Sequence, residues 1–318
     1  MLNWSALPRP IVALSPMADM TDSAFCRVAK KFDAPVVFRE MISAEAIVRG
    51  NERSLEMGRF LPEERPIVQQ LFGADPTVMG EAVRIIDNAF DPDGFDVNMG
   101  CPVYKITSNF NGAALMREPR RAEAIIKAMK AATKKPVSVK LRLGWSDPAE
   151  VIEFIKVVES AGADLVTIHG RTKAQGYGGV ADWAMIGRAK AVVGIPVLCN
   201  GDVHSGQAAV KALDVSGCDG VLIARGALGN PWIFREISAA LAGEPHVPPS
   251  LAERIAAVRD HARLHLELYG QSGGLVTFRK HLTWYFRGLP GARALREHLA
   301  KVTTMEDLEK GLSLVQAA

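Results

Sequence analysis

Short apolar runs alternate along the chain with longer amphipathic stretches. The apolar runs are Ile11–Met17, Val36–Ile42, Ile67–Gly73, Gly94–Gly100, Val137–Gly144, Leu165–Arg171, Pro196–Asp202 and Gly220–Gly226, most of them with Gly, Pro, Asn or Asp at the end, and they predict strands. The stretches Asp22–Phe32, Ala44–Gly50, Pro76–Ala89, Arg120–Ala132, Pro148–Ser160, Asp182–Val193 and Ser205–Ser216 carry a helical period. Asp22, Asp75, Asp147 and Ser205 stand where N-caps belong, and Pro76 and Pro148 suit a first helical turn. Ala227–Ala242 reads as one more helix. Eight strands alternating with helices predict a (β/α)8 TIM barrel. The alternative, a doubly wound open sheet, lacks a Gly-x-Gly-x-x-Gly after its first strand.

The alternation ends after Ala242. A Gly- and Pro-rich linker, Gly243–Pro249, leads into helical patterns at Leu251–Tyr269, Leu275–Arg287, Ala292–Lys301 and Thr304–Gln316, with a break at Gly270–Gly274. The predicted organisation is therefore α/β, with a barrel over residues 1–243 followed by a small all-α domain over 244–318.

Side chains alternate between the two faces of a strand. Ser138, Lys140 and Arg142 share one face of the fifth strand, while Val139, Leu141 and Leu143 share the other. The apolar face suits the layer between barrel and helices, which turns the Lys and Arg toward the barrel axis, where a buried cation needs a partner. Thr167, His169 and Arg171 repeat the pattern, as do Asp96 with Asn98 and Asn200 with Asp202, and Gln70 ends the third strand. Polar groups thus converge from at least five strands, as a polar ligand requires. A water-filled mouth with internal salt bridges is the simpler alternative. Asn200-Gly201-Asp202 and Ala224-Arg225-Gly226 end the last two strands, where such barrels bind phosphate. Asp96-Val97-Asn98-Met99-Gly100-Cys101-Pro102 puts a thiol on the first loop residue after a buried strand. Tyr104-Lys105 and Asn111-Gly112 follow, a polar, cationic loop suited to an anion.

Composition changes this picture little. The chain has 318 residues, 48% hydrophobic and 23% charged, with a net charge of +3, so nucleic-acid binding is not read from the overall charge. The tail differs: from Leu251 to Lys301 nine basic residues stand against four acidic ones. Five of the 7 His also lie from His246 onward. The four Cys, Cys26, Cys101, Cys199 and Cys218, show no metal-ligand spacing or disulfide framework, so no metal site is expected and a reducing compartment fits. No signal peptide or membrane span is visible, so a cytoplasmic protein is expected.

Taken in order, Ser15-Pro16-Met17-Ala18 with Thr21-Asp22, Gln70-Leu71-Phe72-Gly73, the Asn98–Pro102 segment, Val139-Lys140, Ile168-His169-Gly170-Arg171-Thr172, Asn200-Gly201-Asp202 and Ala224-Arg225-Gly226 resemble the tRNA-dihydrouridine synthases. Arg279-Lys280-His281-Leu282-Thr283-Trp284-Tyr285 is similar to that family's helical domain, and the bacterial subgroup is the closest in pattern. The resemblance implies an FMN enzyme that reduces the C5=C6 bond of particular uridines in tRNA with NADPH. Pro16, Met17, Ala18, Gln70 and Lys140 would contact the flavin ring, and His169, Asn200, Gly201, Asp202, Ala224 and Arg225 its ribityl chain and phosphate. Cys101 would be the proton donor, acting as a neutral acid rather than a thiolate. Asn98 and Arg142 would hold the uracil, with Lys105, Arg171, Arg279, Lys280 and Arg287 on the RNA. The uridine would have to be flipped out of the RNA to reach the cavity. A monomer without protein partners is expected. Tyr104 departs from the family, which often carries a second basic residue there. So does Phe38-Arg39, for which the sequence alone offers no account.

Two other readings compete. A small-molecule flavin reductase of the dihydroorotate or dihydropyrimidine type would use the same barrel but has no need of a basic helical tail. A non-catalytic tRNA-binding protein would be colourless when purified.

Overall fold

The computed structural model describes residues 2–270, 273–287 and 299–316. Eight parallel strands close into a barrel in sequence order. They are β1 (Ile11–Leu14), β2 (Val36–Ser43), β3 (Ile67–Phe72), β4 (Gly94–Met99), β5 (Val137–Arg142), β6 (Leu165–His169), β7 (Val197–Asn200) and β8 (Gly220–Ile223). Helices on the outside connect them: α1 (Ser23–Lys31), α2 (Ala44–Val48), α3 (Glu52–Glu56), α4 (Pro76–Phe90), α5 (Tyr104–Thr107), α6 (Pro119–Ala132), α7 (Glu150–Ser160), α8 (Trp183–Lys190), α9 (Gly206–Ser216) and α10 (Ile233–Ala242).

Capping side chains start several of these helices. Asp22 Oδ1 accepts from the Phe25 N–H at 2.9 Å, Asp75 Oδ1 from Thr77 and Val78 at 2.8 and 3.0 Å, and Ser205 Oγ from Ala208 at 3.1 Å. Asp147 Oδ1 accepts from Ala149 at 2.9 Å, but α7 proper begins only at Glu150. Gly217 and Gly243 adopt left-handed φ values of 59° and 70° and stop α9 and α10.

Most strands stop earlier at their C-terminal end than the apolar pattern predicts, whereas β2 runs one residue further, to Ser43. β1, β5, β6, β7 and β8 stop two or three residues early, at Leu14, Arg142, His169, Asn200 and Ile223. After β1, β7 and β8 the residues that leave the ladder, among them Pro16, Met17, Gly201 and Ala224, line the barrel mouth. Likewise α10 begins at Ile233 rather than at residue 227, because Gly229 and Pro231 hold the preceding loop open. The short helices α3 and α5 lack enough turns to leave a period and are not predicted from the sequence.

Alternation sorts the side chains into two cores. Val139, Leu141 and Leu143 pack outward among the helices. Inside the barrel, Ala13, Val36, Phe38, Val68, Leu165 and Leu198 fill its lower part, and Trp4 stacks on Phe38 with centroids 5.9 Å apart, plugging the bottom. Chemistry is left to the upper end, as is usual in these barrels.

Arg39 belongs to this framework. It is 3% exposed and pairs with the fully buried Glu64 at 3.1 Å, while donating to the carbonyls of Arg59 and Met57 at 3.1 and 2.8 Å. Glu64 also accepts from Ser23 Oγ at 2.5 Å and the Leu61 N–H at 2.9 Å. The unusual Arg39 of β2 is thus half of a buried ion pair that fastens the 57–64 segment to the barrel.

After Gly243, residues 244–250 form no helix or strand, and α11 (Leu251–Tyr269), α12 (Gly274–Tyr285) and α13 (Met305–Gln316) follow. Ser250 and Glu253 form a capping box at the start of α11. The helix expected over Ala292–Lys301 lies largely outside the described residues. Phe278, Leu282, Tyr285, Phe286, Leu308 and Leu312 form a separate core here. This tail abuts the barrel closely: Gly229, in the loop after β8, has φ 65°, and a Cβ on it would stand 2.2 Å from the Trp284 carbonyl carbon. No helix among the described residues is long and apolar enough to cross a membrane.

Candidate active site

The C-terminal ends of the strands surround a cavity of about 660 Å³. Pro16, Met17 and Ala18 from the loop after β1 form one wall, and Gln70 and Asn98 reach in from β3 and β4. Lys140 and Arg142 from β5 and His169 from β6 form the floor. Asn200, Gly201 and Asp202 after β7, with Ala224 and Arg225 after β8, make the opposite wall. Cys101 and Lys105 border the opening from the loop after β4.

A hydrogen-bonded chain crosses the barrel beneath this cavity. Ser138 Oγ and Gln70 Nε2 each donate to a different oxygen of Asp96 at 2.6 Å, and Asn98 Nδ2 donates to Gln70 Oε1 at 3.0 Å. Asn98 Oδ1 then accepts from the N–H groups of Gly100 and Cys101 at 3.2 and 2.9 Å. Asn98 therefore fixes the turn that carries the thiol. Gly112, with φ 58°, clamps the same turn from the other side, since a Cβ there would lie 2.8 Å from the Cys101 carbonyl oxygen. Burial raises the Asp96 carboxyl to about 6, against the opposing pull of its two donors and Lys140.

Lys140 has neither a hydrogen bond nor an ion pair among the described residues. Burial first, then Arg142, lowers its ammonium to about 8, although Asp96 and Cys101 pull the other way. The same burial, with Lys140, Arg142, Arg171 and Arg225 around it, lowers His169 to about 2, so its imidazole is neutral. Arg171 Nη1 lies 3.3 Å from His169 Nε2. A guanidinium only donates, so Nε2 accepts and Nδ1 carries the proton.

Arg142 fastens two loops through Nε and Nη1. Its Nε donates to the Gly100 carbonyl at 2.8 Å, and its Nη1 to those of Thr172 and Gly176 at 3.0 and 2.8 Å, which joins the loops after β4 and β6. Arg171 is 2% exposed and stands behind the cavity wall. It donates to Asp202 Oδ2 at 2.7 Å and to the carbonyls of Gly178 and Gly179 at 2.9 and 2.7 Å. Asp202 also meets Arg225 at 3.6 Å and accepts from the Ala181 N–H at 2.8 Å. Burial opposes its ionisation, but these donors hold it below the usual carboxylate range. Gly201, at φ 113°, has no room for a side chain: a Cβ would lie 2.8 Å from both His169 Cδ2 and Ala181 Cβ.

Tyr177 was not foreseen. It is 62% exposed yet lines the cavity, with the guanidinium carbons of Arg225 and Arg142 5.2 and 5.6 Å from its ring centre. It sits in the glycine-rich loop 170–182, which has no periodicity to flag it.

The remaining basic residues lie apart from the cavity. Arg287 is exposed and borders a second hollow of about 520 Å³ at the seam between barrel and tail, with Arg225, Arg254, His204 and Trp284. Lys280 is partly buried on α12. Arg279 donates to the carbonyls of Val302 and Lys301 at 2.7 and 3.3 Å, so it ties α12 to the segment before α13.

Barrel, thiol and cation-lined cavity together define an enzyme with its site at the C-terminal mouth of a (β/α)8 fold. The chain belongs to the dihydrouridine synthase family, whose model, described as Dihydrouridine synthase (Dus), matches residues 12–318. It is 41% identical over 302 residues to a probable tRNA-dihydrouridine synthase 1 of Synechocystis sp., covering 93% of this chain and 83% of that one. It is 37% identical over 288 residues to a probable tRNA-dihydrouridine synthase of Rickettsia conorii, covering 90% and 87%. Among solved structures it is similar in fold to TcOYE with pHBA, with a TM-score of 0.55 at 9% identity, covering 77% of this chain and 92% of that one. A 2-naphthoyl-CoA reductase complex gives a TM-score of 0.57 at 13% identity over 74% of this chain and 50% of that one. Likeness at that identity concerns the fold alone.

Proposed function

We propose that this enzyme reduces the C5=C6 bond of specific uridines in tRNA, using FMN as its cofactor and NADPH as its reductant. The observation that carries the reading is the placement of Cys101, in the loop after β4, and Lys140, on the adjacent β5, around one cavity. The family relatives named for this activity support it. The residues present fit a flavin. Lys140 is a partly buried ammonium without a hydrogen-bonding partner, and Gly201 leaves bare backbone where a side chain would block the wall. The volume lies within the roughly 300–1,000 Å³ of small-molecule sites.

Pro16, Met17 and Ala18 would take the ring's face, with Gln70 and Lys140 at its edge. His169, Asn200, Gly201 and Asp202 would hold the ribityl chain, and Ala224 and Arg225 the phosphate. When bound, FMN supplies the hydride to C6 of uracil and is recharged by NADPH. Lys140 places positive charge where reduction adds negative charge. Cys101 delivers the proton to C5, and its thiol is aimed by the Asn98 contact to its own N–H. Arg142 fixes the rim that the flipped base must pass. Lys105 at the rim, with Lys280 and Arg287 on the tail, contact RNA phosphates. Arg171 and Arg279 act through the loops they fasten.

Purified protein should be yellow and should form dihydrouridine in unmodified tRNA, read by mass spectrometry, but leave free uracil unreduced. Cys101→Ala should keep flavin and lower dihydrouridine formation by about 10²–10⁴-fold. Unchanged formation in that variant would remove the proton-donor role, and reduction of free uracil alone would replace the RNA reading with a small-molecule one.

A further inference from the structure

Where the tail meets the barrel, three histidines are buried together. His261 and His265 stand one turn apart on α11, and His281 faces them from α12, all 0% exposed. Their ring nitrogens include one set that lies within 4.8 Å of one another. The outward nitrogens of two are engaged: His261 Nδ1 is 3.1 Å from Tyr285 Oη, and His265 Nδ1 is 3.4 Å from Thr277 Oγ1. The Nε2 atoms of His261 and His265 and both nitrogens of His281 have no hydrogen-bond partner. Asp22, the N-cap of α1, places Oδ2 3.1 Å from His265 Nε2, and Tyr269 donates to that oxygen at 3.1 Å. An ion pair between His265 and Asp22 would account for those two side chains. It leaves His281 buried with two empty nitrogens, which is costly in an apolar setting walled by Phe25 and Phe278.

We propose that His261, His265, His281 and Asp22 form a structural zinc site that joins the helical tail to the barrel. Three imidazoles and a carboxylate are a common tetrahedral zinc set. The hydroxyls of Tyr285 and Thr277 on the far ring nitrogens, and Tyr269 on the carboxylate, are the supporting contacts such ligands need. Zinc at about 2.0–2.1 Å holds its ligand atoms about 3.3 Å apart, so the three imidazole nitrogens close in by at most about 1.5 Å on binding, and Asp22 joins them from its place beside His265. With four protein ligands, the ion has no open position for catalysis. Its effect is mechanical: Asp22 follows directly on the loop of residues 15–20 that lines the flavin cavity.

The test is metal analysis of the full-length protein, purified with a histidine-free tag. About one zinc per chain is expected, and after chelation cobalt chloride should give the visible absorption of tetrahedral Co²⁺. His281→Gln should lower zinc affinity at least about tenfold and abolish the cobalt absorption while flavin stays bound. The proposal is overturned if wild-type protein contains no metal and takes up none from zinc chloride, or if His281→Gln binds zinc as tightly as wild type. Should the variant fail to fold, the wild-type titration decides alone.

Discussion

Lys140→Met separates what the cavity needs for ligand from what it needs for stability. The ammonium falls from an ordinary 10.5 to about 8 on folding. The gap corresponds to ~3 kcal/mol of disfavoured charge. Water in the cavity screens part of this, leaving ~1–3 kcal/mol. Methionine keeps the apolar stem and removes the charge, so the flavin-free variant should be more stable than wild type by that amount at pH 7. The sign follows from proton binding. Below pH 8 both states of the wild type hold the proton and the full cost is present. Between about 8 and 10.5 the unfolded chain holds a proton that the folded one has released, so wild-type stability gains with pH and the variant's advantage fades. FMN binding should move the other way, losing a charge-assisted contact worth ~1.5–3 kcal/mol, or about 10–100-fold in Kd. Urea denaturation of flavin-stripped protein at pH 7 and 10, with FMN titration by fluorescence, reads both. A variant less stable than wild type at pH 7, or one binding FMN unchanged, would refute the reasoning.

Three further outcomes follow from the same contacts. Gly201→Ala forces a Cβ into a 2.8 Å approach at φ 113° and should cost ~2–4 kcal/mol with a marked loss of FMN affinity, measured by thermal melting and titration; an unchanged melting curve contradicts it. Arg39→Met strands the buried Glu64 carboxylate and should destabilise by ~3–5 kcal/mol in urea, whereas a loss under about 1 kcal/mol would mean that the pair is dispensable. Asp96 holds a proton in the folded state up to about pH 6 but in the unfolded state only to about 3.8, so it makes stability fall as pH rises through that window. Asp96→Asn should remove that slope, and a profile parallel to wild type between pH 4 and 6 would show that another group sets it.

Strand alternation was enough to turn Lys140, Arg142, His169 and Asn200 toward the axis, because a buried sheet enforces a period of two. It did not show how those groups divide. Asn98 and Arg142 carry the right chemistry for a uracil carbonyl, but the sequence did not show that Asn98 also binds Gln70 and the Gly100–Cys101 turn, or that Arg142 also binds carbonyls of the loops after β4 and β6. Arg39 was unexplained because its partner, Glu64, lies 25 residues away in a short turn. Tyr177 has only glycine punctuation around it. The concentration of histidine in the tail was visible, but Cys spacing gave no metal signal, and His281 joins His261 and His265 only once α12 packs on α11.

The backbone contact between Gly229 and Trp284 makes the tail a jig rather than an arm. The loop after β8 and α12 share one seam, so on the proposed reading the span from barrel mouth to entering base is a constant of the fold. On the proposed reading, a relative that modifies another nucleotide would differ first in how its tail is seated, and its flavin pocket could stay the same.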